Sequence, residues 1–202
     1  MTAKRIARLA AFCALAVTLA PKQGLASVFG FKAGMTKEQI VAILGGKAPT
    51  KVHDDAYTFS TAPSPHPEFE SYICFISPEK GLLKVVALSK NIETNDFGEA
   101  LKDKFEQIQA GVFKAYGQGK SYDYLKEGSI WNEPQDWMMG LLKDERTLET
   151  FWQLNPPQDH IAIIALKATA LSREKGYVSL GYEFEGWEQY VDSKKEKQDN
   201  VY

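Results

Sequence analysis

The chain uses one order of elements twice: a helix, a glycine that ends it, and then residues that alternate between apolar and polar. The first helix is predicted to begin at Thr36, whose hydroxyl can cap it, and Gln39 completes a capping box. Met35 before the cap can pack on Ile40, and Gly45 ends the helix. The apolar face of this helix comprises Ile40, Ile43 and Leu44. A helix with one apolar face needs a second layer to pack on.

A longer helix is predicted over 96–116, because its apolar residues recur every three or four positions and form one stripe. The stripe consists of Phe97, Leu101, Phe105, Ile108, Val112 and Tyr116. Gly117 ends this helix. A third helix is predicted to open with Asn132 as its cap and Pro134 in its first turn, and to bury Trp137, Met138 and Leu141.

Strands are predicted wherever apolar and polar residues alternate. The first three, at 57–60, 69–76 and 82–88, form a meander, and three more lie at 147–154, 161–171 and 176–184. The sequence therefore predicts an α+β fold, with helices packed on an antiparallel sheet. Residues 27–92 form an N-terminal half, and 93–202 a C-terminal half with a charged, helical tail. The shared order suggests a tandem duplication, although many helices end on glycine by themselves.

The first 26 residues are typical of a secretory signal peptide. A basic start precedes an uncharged apolar run at 9–20, which is too short to span a bilayer as a helix and so disfavours an N-terminal membrane anchor. Small residues at 24 and 26 favour cleavage after Ala26. Cleavage would remove four basic residues and no acidic one, leaving 20 basic and 26 acidic residues and a net charge of −6. We expect an acidic, soluble periplasmic protein without a membrane span.

The composition argues against several kinds of partner. An acidic chain has no bulk attraction for nucleic acid. Residues 117–121 end like a phosphate-binding loop, but Lys114 stands where that loop needs a glycine, and the glycines close a helix instead of opening one. Three histidines and two cysteines leave little material for a metal site. We therefore expect no nucleic acid, no nucleotide, no metal and no cofactor.

Residues 31–45, FKAGMTKEQIVAILG, resemble the start of the SmpA/OmlA domain, in which a Gly-Met-Thr helix ends in Leu-Gly. Members of that family are small outer-membrane assembly lipoproteins, and the same two-layer fold occurs, duplicated, in secreted inhibitors of β-lactamase. The resemblance implies an α+β binding module without catalysis. The chain departs from the lipoprotein pattern because Cys13 follows Phe12 early in the apolar run and forms no lipobox, and because Gly46 replaces a usual proline.

The residues that could carry catalysis have simpler explanations, and no catalytic residue is assigned. The histidines are predicted to lie in exposed loops: His53, His66 and His160. Cys74 falls in the middle of a strand and is interpreted as a small buried hydrophobe. Glu183 and Glu185 lie two apart, on one face of a strand, where a solvated surface explains them better than the paired acids of a glycosidase.

Aromatic residues are crowded between 122 and 152. Tyr122, Tyr124 and Trp131 fall in a predicted connecting segment, where they either cover the edge of the sheet or bind a partner. These three are the candidate partner-binding residues, and the favoured function is non-catalytic protein binding, as an envelope accessory or an inhibitor or immunity-type protein. The alternatives are an accessory protein without a fixed partner and a periplasmic hydrolase. A deep cleft containing Glu183, or a histidine beside Cys74, would favour the hydrolase, and a flat aromatic patch would favour binding.

Overall fold

One nine-stranded antiparallel sheet organises residues 27–199, the part of the chain that this computed structural model describes. Its strands are β1 Thr50–His53, β2 Ala56–Phe59, β3 Phe69–Ser77, β4 Gly81–Ser89, β5 Ile92–Glu93, β6 Lys120–Leu125, β7 Arg146–Gln158, β8 Ile161–Ser172 and β9 Lys175–Phe184. The helices are α1 Lys37–Ile43, α2 Glu99–Tyr116, α3 Trp137–Leu142 and α4 Trp187–Asp199. The α+β prediction is confirmed. The predicted signal peptide lies outside the described residues.

The strand order is β1-β2-β3-β4-β9-β8-β7-β6, and the short β5 also pairs with β9. The two predicted halves therefore meet at the central pair of β4 and β9, where Lys84 lies opposite Glu183 and Leu88 opposite Ser179. Each half runs outward from this pair to its own edge strand, β1 or β6. The halves share a single sheet, because β4 of the first half pairs with β9, the last strand of the second.

The core lies on one face of the sheet, beneath the helices. On α2, Leu101, Phe105 and Ile108 are buried, and the helix packs on β8 and β9. The helix α3 packs on β7 and β8. Over the first half, the fully buried Phe31 ring lies 6.0 Å from the Tyr72 ring centroid, so the segment before α1 continues the same layer. We call this side of the sheet the covered face.

Strand β1 was not predicted, and the reason is visible in its burial. All four of its residues are exposed, including Val52, so nothing in the sequence alternates between a buried and a solvated side. The strand forms because it pairs with β2, with Thr50 opposite Thr58. The predicted meander of three strands thus has a fourth strand, β1. This strand is attached by backbone hydrogen bonds to β2 and buries none of its side chains.

The predicted capping box of α1 is confirmed: the Gln39 amide N–H donates to the Thr36 hydroxyl, and the Thr36 amide N–H donates to the Gln39 side chain. The prediction that Ile43 is buried was wrong, because the helix is only two turns long and Ile40 alone is buried. The prediction that Phe97 belongs to the apolar stripe of the second helix was also wrong. Phe97 precedes α2, whose N-cap is Gly98 with φ of +71°.

The third helix begins later than predicted. Asn132 does not cap it. A short 3₁₀ turn, Pro134–Asp136, comes first, with Glu133 before it, and α3 follows at Trp137. The buried residues of α3 are those predicted, since Trp137, Met138 and Leu141 are all in the core. The apolar pattern identified the buried side of this helix better than the capping signals identified its start.

Candidate functional site

The two faces of the sheet are covered very differently. Side chains alternate along each strand, so on β9 Leu180 and Tyr182 are buried on the covered face, while Ser179 and Glu183 point to the other side. Over β6 to β8, no helix within residues 27–199 packs on that other side, whereas α4 reaches it beside Glu183 of β9. We call the side chains of β6 to β9 that point away from α2 and α3 the open face.

An aromatic cluster lies on the open face at its outer edge. Tyr122 and Tyr124 belong to the edge strand β6, where they lie opposite Glu149 and Thr147 of β7. The Tyr122 ring is 5.9 Å from the Phe151 ring, in an edge-to-face arrangement. Tyr124 is 55% exposed and Phe151 is 38% exposed, which is unusual for large apolar rings on a regular strand. The prediction that Tyr122 and Tyr124 lie in a connecting segment was wrong.

Polar residues on the covered face explain why both tyrosines point outward. Ser121 and Thr150 lie opposite one another, and their hydroxyls are 3.0 Å apart. The Gln109 side chain of α2 donates to the Thr150 hydroxyl at 2.6 Å. Two residues beyond Ser121 on the same face of β6, the Asp123 carboxylate accepts a hydrogen bond from the Arg146 guanidinium at 3.2 Å. These hydrogen bonds fix the face of β6, and the residues between them must face the solvent.

Trp131 is not part of this cluster. It lies in the loop after β6, with its Cβ beside Gly140 of α3. Because α3 packs on the covered face, Trp131 lies on the other side of the sheet from Tyr122 and Tyr124. The structure therefore separates the three candidate residues. Tyr122 and Tyr124 share one face of a strand, where Tyr122 is half-buried and Tyr124 exposed, and the half-buried Trp131 lies beside α3.

The open face carries few free charges. Lys167 and Glu149 pair across β7 and β8 at 2.7 Å. The ammonium of Lys120 lies 5.0 Å from the Tyr122 ring centroid, within cation–π range. A groove of about 410 Å³ begins beside Lys120 and Tyr122 and runs along the part of β7 that extends beyond its pairing with β6, where Gln153 lines it. The aromatic cluster thus adjoins a concave, mainly polar surface large enough to receive a side chain of a partner.

The same side of the sheet is closed at its other end by α4. The Trp187 ring lies 5.1 Å from the Phe75 ring and 4.8 Å from the Lys84 ammonium. Lys84 in turn pairs with Glu183 at 2.8 Å, and both side chains are largely shielded. Glu183 is therefore not on a solvated surface as predicted. Glu185 lies beyond the end of β9 and pairs with His160 instead, so the two carboxylates do not form a pair.

A second set of contacts ties α4 to the β1–β2 turn. The Tyr190 hydroxyl donates to the Asp55 carboxylate at 2.6 Å, and the Lys194 ammonium lies 2.9 Å from the same group. Burial would raise the pKa of Asp55, but the hydrogen bonds from Tyr190 and Lys194 outweigh it and hold the pKa below its ordinary value. Burial and the Asp55 charge raise the pKa of Tyr190 to about 12.

The remaining candidates for chemistry are accounted for by their surroundings. Cys74 is fully buried, as predicted, and burial raises the pKa of its thiol. His53 is exposed and 3.7 Å from Asp54, and His160 is half-exposed. Within residues 27–199 there is no cluster of histidine, cysteine and acidic side chains that could hold a metal ion. In the same residues, no helix is long and apolar enough to cross a membrane.

Comparison of the chain with protein-family models, with curated proteins and with solved structures finds no match. The function must therefore be argued from the site itself. The signal that could have located the cluster earlier is the order K-S-Y-D-Y-L at 120–125, which alternates small or acidic residues with large ones. Such alternation is typical of a strand with two different faces.

Proposed function

We propose that this protein is exported and acts by binding another protein, without catalysis, through the open face of its sheet. The observation that carries the proposal is the aromatic cluster on a regular, hydrogen-bonded strand pair, in which Tyr124 and Phe151 are exposed and Tyr122 is half-buried between them and Lys120. Aromatic side chains are the usual anchors of protein interfaces, because each one removes a large area from water at a small cost in side-chain entropy.

The surroundings of the cluster suit binding as well as its composition does. The backbone is held by sheet pairing and by the hydrogen bonds of Ser121 and Thr150 beneath it. A surface that is already rigid loses little entropy when a partner docks. Thr147 of β7 and Ser179 of β9, with β8 between them on the same face, offer hydroxyls that can adapt to a partner.

The charges indicate what the partner should present. The pair of Lys167 and Glu149 is internally neutral, and Lys120 is the cation nearest the aromatic rings. We therefore propose a folded protein that inserts an apolar loop against the cluster, with an acidic or neutral side chain next to Lys120. Envelope accessory and inhibitor or immunity-type roles both operate by contacts of this kind.

Export rests on the signal-like sequence of residues 1–26. Val28 and Phe31 are both buried in the core. A chain cut after Ala26 would retain them, and the mature protein would keep every described core contact. We propose the periplasm as its location, and a mature N-terminus at Ser27, which mass spectrometry of the exported protein would test.

The alternative, a periplasmic hydrolase, gains no support from the residues that were named for it. Glu183 is engaged by Lys84 beside Trp187, and Cys74 is sealed in the sheet. A flat aromatic patch was the feature expected of a binding protein, and the open face carries one. Binding is therefore the function that the described geometry supports best.

The test compares three versions of the chain from Ser27 onward: wild type, Tyr122→Ser with Tyr124→Ser, and Val52→Ser. Val52 is 59% exposed and lies on β1 at the far edge of the sheet, so it is a matched control for removing an exposed side chain from an edge strand. Each version is used to capture proteins from native envelope extract, and a stoichiometric partner is then purified for calorimetry.

We expect wild type and Val52→Ser to bind the same partner equally, and the double variant to lose at least about thirtyfold in affinity, as for the loss of one interface hot spot. Circular dichroism would verify that all three are folded. The proposal is overturned if wild type retains no stoichiometric protein, or if the double variant binds as tightly as wild type.

A further inference from the structure

We propose that a cavity on the covered face binds a small, neutral, largely apolar molecule that carries a carbonyl-type hydrogen-bond acceptor. The cavity lies between α2, the segment 63–69 and β9, and its volume is about 330 Å³. This volume corresponds to the liquid volume of about eleven water molecules. It falls at the lower end of the range for small-molecule pockets, which start near 300 Å³.

The walls of the cavity are mainly apolar and include Phe29, Phe69, Ile108, Val112 and Leu180. His66 and Glu68 border the side that the segment 63–69 forms. The Phe29 ring packs edge-on against Phe69 at 5.5 Å and against Tyr182 at 5.8 Å. Water in such a space has few partners, so an apolar ligand body would displace it favourably.

Two tyrosines supply polar groups within these apolar walls. The rings of Tyr116 and Tyr182 are 6.4 Å apart, and both line the cavity. Neither hydroxyl makes a hydrogen bond to another residue in 27–199, whereas the hydroxyls of Tyr72 and Tyr190 are both engaged. Both hydroxyls are reached by solvent, since Arg146 Nε is the one buried side-chain polar atom without a partner in these residues, and they are therefore open to a ligand. Burial raises the pKa of both cavity tyrosines, so both remain protonated and can donate to a ligand acceptor.

The mouth of the cavity favours a neutral ligand over an ion. Glu68 lines it and is neutralised by the Lys104 ammonium at 2.6 Å, and the Gln107 side chain is 3.4 Å from the same carboxylate. His66 also lines the cavity, and its Nδ1 accepts the Glu68 amide N–H, so the imidazole is uncharged in this contact. A charged ligand would therefore meet no free counter-charge among these groups. Gly111 and Ala115 of α2, both exposed, also border the cavity, and a Cβ added at Gly111 would have no neighbour within 4 Å.

The test uses two probes with the same number of heavy atoms, acetophenone and isopropylbenzene, in which a methyl group of the second takes the place of the carbonyl oxygen of the first. Each is titrated into the isotope-labelled chain from Ser27 onward, and the backbone amide signals of Ile108, Val112 and Leu180 are followed by NMR. The variants are Tyr116→Phe with Tyr182→Phe, which removes both donors, and Gly111→Leu with Ala115→Leu, which narrows the mouth with good helix formers. Tyr124→Phe on the open face is the control.

We expect saturable shifts at the cavity residues, with acetophenone bound more tightly than isopropylbenzene. The double Phe variant should weaken acetophenone about fivefold, the value of one hydrogen bond, and leave isopropylbenzene unchanged. The Leu variant should weaken both probes, and Tyr124→Phe neither. The proposal is overturned if no probe shifts the cavity signals, or if the double Phe variant binds both probes as wild type does. The open face lies on the other side of the sheet, so failure here leaves the protein-binding proposal untouched.

Discussion

The covered and open faces of the sheet are built from the same strands, yet their large side chains are buried on one and exposed on the other. On the covered face, residues such as Leu166 and Ile164 are fully buried beneath α2 and α3, where close packing restricts the size and shape of the side chain. On the open face, Phe151 and Tyr124 are as large but remain exposed. Burial explains the first set as folding determinants. The second set contributes little to folding, and that is why we assign it to binding.

The largest expected difference between the faces concerns two phenylalanines. Phe105→Ala removes a ring that is 2% exposed in the core, and we expect a loss of about 3–5 kcal/mol in unfolding free energy. Phe151→Ala on the open face should cost under about 1 kcal/mol. Chemical denaturation of both variants provides the measurement. Equal losses would show that the open face is part of the core, and the comparison would break down.

A second prediction concerns the contact that brings the segment before α1 onto the covered face. Gly81 has φ of +71°, and a Cβ there would collide with the carbonyl oxygen of Gly34. Gly81→Ala should therefore cost more than about 2 kcal/mol, from the left-handed backbone and the collision together. Gly45, with φ of +70° and no neighbour within 4 Å, is the matched control. Gly45→Ala should lose only about 1 kcal/mol in a thermal or chemical melt.

The contact between α4 and the carboxylate of Asp55 should weaken in acid. The pKa of Asp55 lies below its ordinary value, so its interactions with Tyr190 and Lys194 add stability above the unfolded pKa of about 4, and this stability is lost as the pH falls below that value. We expect Asp55→Asn to be about 1 kcal/mol less stable than wild type at pH 6.

The two proteins should converge in stability only as the pH falls through the lowered pKa of Asp55, because protonation then removes the same charge from wild type. Urea unfolding at several pH values measures the difference. A gap that stays constant down to the acid range would show that the carboxylate of Asp55 is not what holds α4 in place.

The smallest expected effect on stability sharpens the comparison most. Tyr122→Ser with Tyr124→Ser should change the unfolding free energy by about 1 kcal/mol or less, since neither side chain is in the core and both lie on an edge strand, Tyr124 exposed and Tyr122 half-buried. A large loss of stability would mean that the cluster holds β6 in the sheet, and the loss of partner binding could no longer be attributed to the removed contacts.

Much of the fold was predictable because it depends on local patterns. The box at Thr36 and Gln39 forms within four residues, and the stripe of α2 follows from helical geometry alone. The alternation at β3, β4, β8 and β9 identifies those strands because each buries one side. The buried character of Cys74 followed from its place in such a strand. These features need no knowledge of which elements are neighbours.

The site was predicted only in part, for a physical reason. Tyr122, Tyr124 and Trp131 were chosen as large aromatics in a segment without a helix, but their faces depend on pairing between β6 and β7 and on the docking of α3. Phe151, which completes the cluster, is 27 residues or more from both tyrosines in sequence and was not a candidate. No local pattern brings Phe151 beside Tyr122.

The sequence by itself determined the α+β class, the cap of α1, the buried stripe of α2 and the positions of most strands, because backbone hydrogen bonding and hydrophobic periodicity act over a few residues. Only the tertiary structure decided that β4 and β9 join the two halves into one sheet, that Glu183 pairs with Lys84, and that one side of β6 to β9 stays open. Those outcomes depend on strand order and on where helices dock. Both are set by long-range contacts, whose partners a linear pattern does not specify.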